Sequence, residues 1–140
     1  MISSIGVRTI SLTTNVGIVQ WRNGPSGRVR TMEVSVINTA ATVQRFGLGV
    51  PAALASNPVD VTFPRDDLAD PPSRMICSVD WIAGPTAPAA YKRICNVANL
   101  VGVGIIWVIP RGYPMGVSSA HVIHGISTMV ANDVNIVVDE

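Results

Sequence analysis

The chain has 140 residues, 48% of them hydrophobic and 14% charged, with a formal net charge of +1 and a mean hydropathy of +0.39. That length suits one domain with a single core, and roughly 25% charge is usual for a soluble domain, so ionic groups are scarce here. The near-neutral balance and the lack of a basic block exclude an electrostatic nucleic-acid footprint or a polybasic membrane segment; no apolar run approaches the roughly 20 residues that span a bilayer.

The N-terminal stretch MISSIGVRTI lacks the basic start and long apolar core of a secretion signal. A surface so poor in charge is expected to be covered by other subunits, because large bare apolar patches mark interfaces. Nine of the ten basic residues are Arg, the cation suited to interfacial pairing, although a coding bias gives the same count.

Residues 5–14 and 16–21 are β-rich and separated by Asn15, and residues 23–27 (NGPSG) form a dense turn signal. Residues 29–38 alternate, with Met32, Val34 and Val36 on one face and Thr31, Glu33 and Ser35 on the other. Residues 42–48 return with Phe46 and Leu48 together, so the two segments are predicted to pair as a hairpin. Residues 49–73 hold five prolines and the acidic group Asp66, Asp67 and Asp70. This reads as a long loop with a short edge strand at 59–63, one helical turn at most at 51–55, and a local Arg65–Asp66 ion pair. Loops of this length are commonly functional, which makes it the first choice for a partner surface.

A strand over 75–83 places Met75, Cys77, Val79 and Trp81 on one face. If residues 84–88 (GPTAP) close a hairpin centred on Thr86, Cys77 faces Cys95; both are expected to be reduced, packed as small hydrophobes, with a bridge as the lesser reading. Residues 91–98 follow, and then 104–109 (GIIWVI), which carry no polar side chain and stop at Pro110-Arg111-Gly112. That run is predicted to be a strand covered on both faces, at the centre of the fold. Residues 120–127 and 134–139 supply the last two strands. The prediction is an all-β, single-domain antiparallel β-sandwich over residues 1–140, jelly-roll-like, with eight to nine strands and a long Pro-rich loop.

No constellation of residues points to catalysis. His121 and His124 lie three apart, which on a strand sends the rings to opposite faces and defeats joint metal binding. The Asp66/Asp67/Asp70 spacing is not that of a calcium loop, Ser118 and Ser119 lack a nucleophile elbow, and Gly102-Val103-Gly104 lacks the rest of a dinucleotide loop. No catalytic, cofactor-binding or metal-binding residues are therefore assigned, and no cofactor is expected. Trp81 and Trp107 are predicted to fill the core. The candidate interface residues are Trp21, Arg22, Arg65, Asp66, Asp67, Arg111 and Tyr113, given the enrichment of Trp, Tyr and Arg at interface centres.

Three segments carry a resemblance: residues 29–53 (VRTMEVSVINTAATVQRFGLGVPAA), 78–112 (SVDWIAGPTAPAAYKRICNVANLVGVGIIWVIPRG) and 132–140 (NDVNIVVDE). In this order they resemble small β-sandwich virion proteins of tailed bacteriophages, of the capsid decoration or cement kind. Residues 118–127 (SSAHVIHGIS) depart from that pattern, lacking its aliphatic-Trp-Asn strand. The resemblance implies a non-enzymatic particle component on the capsid surface, assembled in the host cytoplasm. It would sit over junctions of the major capsid protein and touch sister copies, as a homotrimer. The alternative is a tail, collar or fibre module that binds host glycans, through Trp21 for example, or other virion proteins.

Overall fold

The computed structural model describes residues 1–10 and 17–140. Its strands are β1 (Ile2–Arg8), β2 (Gly17–Arg22), β3 (Val29–Asn38), β4 (Gln44–Gly49), β5 (Val61–Thr62), β6 (Ile76–Ser78), β7 (Tyr91–Val97), β8 (Gly104–Met115), β9 (Ala120–Gly125) and β10 (Asn132–Asp139). They form two antiparallel sheets packed face to face, in the orders β1-β10-β3-β8 and β5-β6-β2-β9-β4-β7, so the protein is an all-β sandwich. The described residues contain no helix, and residues 51–55, where one helical turn at most was expected, hold none. The predicted break at Asn15 lies outside the described residues.

With the short β5 and β6 set aside, the pairing is nested. β1 pairs with β10, β2 with β9, β3 with β8, and β4 with β7, as if the chain were folded in half about the long β4–β7 connection and then rolled. β5 and β6 lie within that connection and extend the larger sheet past β2.

This winding overturns the predicted β3–β4 hairpin. The turn after Asn38 carries the chain from one sheet to the other, and three buried amides fix the crossing. Gln44 Nε2 donates to Asn38 Oδ1 (2.9 Å) and to Asn132 Oδ1 (3.0 Å), while Asn132 Nδ2 donates to Gln44 Oε1 (2.9 Å). Alternation alone cannot separate a hairpin from a crossing, because both bury every second residue. The Cys77–Cys95 hairpin fails as well. Cys77 lies on β6 and Cys95 on β7, four strand steps or about 19 Å apart across the sheet, and both thiols are free.

The inner face of the smaller sheet is a grid of paired residues: Ile5, Ile136, Val34 and Trp107 in one row, Val7, Val134, Val36 and Ile105 in the next. Trp107 meets Phe46 of the other sheet edge to face at 5.9 Å, joining the layers. A bulge at Met32 shifts the face of β3, so Thr31 points inward with Val34 and Val36, and Met32 leaves the predicted apolar face. Opposite Met32, β8 loops out through Pro110, Arg111 and Gly112, with Gly112 at φ 64° against Arg30 and Met32. The predicted stop is therefore a local break, after which β8 runs on to Met115.

The strand covered on both faces is β9. All six of its residues are buried, although it contains both histidines. Its outer face lies under the protein's own chain. Residues 53–59 and 80–86 run together through Ser56 N to Ala83 O (2.8 Å) and Thr86 N to Ala53 O (3.0 Å). Pro85, Pro88 and Tyr91 then rest where side chains at Gly17, Gly49 and Gly47 would stand. β8, the predicted centre, is an edge strand instead: Trp107 and Ile109 point into the core, while Ile106 and Val108 are each 63% exposed.

Candidate interaction surfaces

The two outer edges of the smaller sheet are built from opposite materials. At the β1 edge, the chain after β5 folds back to pair Ser3 with Arg65. Asp66 N donates to Ile2 O (3.3 Å), and Ser4 Oγ donates to Asp66 Oδ1 (2.5 Å). Arg65 turns away from Asp66, contrary to the expected local pair, and its Nη1 meets Glu140 Oε2 at 2.5 Å with both side chains almost wholly buried. Glu140 also accepts from Ser3 Oγ (2.9 Å), Ser73 Oγ (2.6 Å), Arg74 N (2.9 Å) and Arg74 Nε (3.4 Å). Burial alone would push this carboxyl up. The donors Ser73, Arg74 and Ser3, with the Arg65 guanidinium, outweigh burial and hold it below the usual carboxylate range. The result is a clasp that ties the long loop to β1 and β10.

Beyond the clasp, the loop tip faces solvent. Asp66 and Asp67 are exposed, and Leu68 between Asp67 and Asp70 is 96% exposed. The Asp67 carboxylate accepts from Ala69 N (2.9 Å), which shapes the tip, and among the described residues none of these aspartates has a cationic partner.

At the opposite edge, the second half of β8 gathers cations. Tyr113 is half-buried, with Lys92 Nζ 4.7 Å and Arg93 Cζ 5.7 Å from its ring centre, both reaching across from β7. Arg30 Nη1 donates to Arg111 O (2.6 Å), and the Arg111 side chain is exposed. Among the described residues, Arg30, Lys92, Arg93 and Arg111 have no acidic partner. Ile106 and Val108 continue the edge along β8.

Behind this edge lies a buried polar row. Trp21 Nε1 donates to Thr31 Oγ1 (2.9 Å), which is also 2.9 Å from His121 Nδ1. His121 is flanked edge-on by Trp21 (5.9 Å) and Tyr113 (6.2 Å). With Thr31 accepting from Trp21, its own hydroxyl proton is left for His121 Nδ1, which receives it as the acceptor nitrogen of a neutral imidazole. Burial pushes His121 down to about 4, assisted by the charge of Lys92. His124 faces the other way, under Tyr91 (3.4 Å from Nδ1 to the phenol oxygen), and burial lowers it too.

The interface candidates therefore separate. Trp21 is fully buried and cannot meet a partner or a glycan, because its side chain faces the core, where its Nε1 meets Thr31 of the other sheet and its ring meets His121. Trp81, expected in the core, is only half-buried, because β6 ends at Ser78 before reaching it. Arg22 is held by Asp60 (2.7 Å), which also accepts from Ser78 (2.9 Å). Arg65 belongs to the clasp, Asp66 and Asp67 to the acidic tip, and Arg111 and Tyr113 to the basic edge. Sequence reasoning missed Glu140, Leu68, Lys92, Arg93, Ile106 and Val108. A readable signal existed only for Leu68, an isolated apolar residue within an acidic loop. Comparison with protein-family models, with curated proteins and with solved structures finds no match.

Proposed function

We propose that the protein is a non-enzymatic structural component of a tailed-phage particle, a decoration or cement subunit that seats on the capsid surface over junctions of the major capsid protein, beside sister copies. The observation that carries this reading is the bare β8 edge. The chain covers the outer face of its larger sheet with its own residues, yet leaves Ile106 and Val108 uncovered on a strand with one free side. Free strand edges with apolar side chains invite a partner, and monomeric proteins usually blunt them. The nested strand pairing supports the same class, since a double-sheet jelly roll, an architecture common in viral shell domains, would be wound in this way.

The test compares particles with and without this protein. Particles lacking it are expected to bind the purified chain saturably and to release their contents at lower temperature or milder osmotic shock until it is restored. Equal resistance of the two particle types, with no binding, overturns the cement role.

A further inference from the structure

We infer that copies of this chain associate head to tail, the acidic tip of one copy (residues 66–70) seating on the basic β7–β8 edge of the next. Charge and position both point to it.

The tip is an apolar knob in an acidic setting, Leu68 with Asp66, Asp67 and Asp70 around it. The opposite edge is the complement. Lys92 and Arg93 stand over the Tyr113 ring, Arg30 reaches the Arg111 carbonyl on the same part of β8, and the Arg111 side chain is exposed, while Ile106 and Val108 lie farther back along the strand. Glu33, paired across from Val108 on β3, bounds the basic patch on that side. Pro110 and Pro114 lack an N–H, so this part of β8 cannot simply accept another strand and is left to side-chain contacts.

The two patches cannot satisfy each other within one molecule. They lie beyond opposite outer strands of one sheet, β1 and β8, three strand steps or about 14 Å apart, whereas the screening length in physiological salt is about 8 Å. Each is matched by the other patch on a second copy. Such a contact is heterologous: repeated with rotation it closes into a ring, of which a trimer is one form. The clasp gives the acidic tip a rigid base, since Arg65 and Glu140 hold the chain immediately before it. Cations and carboxylates at this spacing steer encounter as well as hold it, so the association weakens as salt rises.

This inference names a contact between copies and is tested with the isolated chain, so its outcome is independent of binding to a particle. Sedimentation equilibrium of the full chain is compared with that of two charge-reversed variants, Asp66→Lys/Asp67→Lys and Lys92→Glu/Arg111→Glu. All four side chains are exposed, and circular dichroism checks that the fold is kept. The wild type is expected to self-associate at low ionic strength and less so at high salt. Each variant should dissociate about tenfold more readily or worse, because like charges now face each other. An equimolar mixture of the two variants should recover association, since the intact tip of one meets the intact edge of the other. A wild type that stays monomeric throughout, variants that associate as the wild type does, or a mixture no stronger than either variant alone would each overturn the inference.

Discussion

The β1 and β8 edges close the same four-stranded sheet, and they are finished in opposite ways. The β1 edge is roofed by the returning loop and locked by ionised groups: Arg65, Arg74 and Glu140 are brought together from distant parts of the chain, and hydroxyls of Ser3 and Ser73 complete the carboxylate's shell. The β8 edge has no such roof, and it is backed from inside by a histidine that burial keeps neutral. One edge buries a satisfied ion pair; the other is backed by a neutral imidazole and carries its cations at the surface. A fold that invests its buried ion pair at one edge and leaves apolar side chains at the other treats the two as different surfaces. Charge changes should therefore act on them differently.

The largest effect is expected at the clasp. Arg65→Met leaves the Glu140 carboxylate buried without its guanidinium, and losing one partner of a buried pair costs about 3–5 kcal/mol. Glu140→Gln keeps the shape but cannot balance Arg65, so it too should lower the urea midpoint strongly at neutral pH. The two variants differ in acid. Glu140 titrates below its unfolded value, so its contribution is complete above that value, about 4.3, and is lost as pH falls through the lower folded one. The wild type should therefore lose stability there, while Glu140→Gln, already lacking the charge, should show a flatter acid limb. Equal acid limbs would remove the clasp from the account of the β1 edge.

The β8 edge should respond in a separate pH window. His121 is pushed down to about 4 from an ordinary 6.5, so between those values the unfolded chain binds a proton that the folded one refuses. Stability is complete above about 6.5 and falls as pH drops toward 4, by roughly 3 kcal/mol over the window. His124, also lowered, adds to the same slope. In His121→Gln the decline from pH 6.5 to 4.5, followed by urea unfolding, should shrink to the part due to His124. An unchanged slope would mean that His121 is not the neutral backing of this edge.

Much of the strand content was legible in the sequence, because β-branched alternation and Gly/Pro turns are local signals. What pairs with what was not. Residues 104–109 read as a strand buried on both faces because Ile106 and Val108 are as apolar as Trp107 and Ile109. The pattern records that a side chain avoids water and leaves open whether its cover comes from this chain or another. The strand that is buried on both faces, β9, was disguised by its histidines. Their Nδ1 atoms are met by Thr31 and Tyr91, partners supplied from other strands. Trp21 and Trp81 were exchanged for a related reason: the Arg beside Trp21 suggested a surface, but β2 lies inside its sheet while residue 81 follows the end of β6. Among the candidate interface residues, the acidic tip was legible from its own composition. The basic edge was not, since Lys92 and Arg93 come from β7 and Arg111 and Tyr113 from β8, and only the sandwich brings them together. Glu140 reaches Arg65 across 75 positions, a distance no local pattern spans.

The smallest change in stability, and the sharpest test of the bare edge, comes from Ile106 and Val108. Both point outward, so exchanging either for Lys removes little buried area and should shift the unfolding free energy by no more than about 0.5 kcal/mol, as at other surface sites. A lysine on an edge strand is also a common natural means of preventing pairing. Ile106→Lys/Val108→Lys should therefore leave the thermal midpoint almost unmoved while weakening capture by particles. The matching change on β5, Val61→Lys, also exposed and on an outer strand of the other sheet, serves as the control and should leave capture intact. A difference between the two variants locates the docking surface at β8. Equal loss in both would mean that general apolarity, rather than this edge, does the binding.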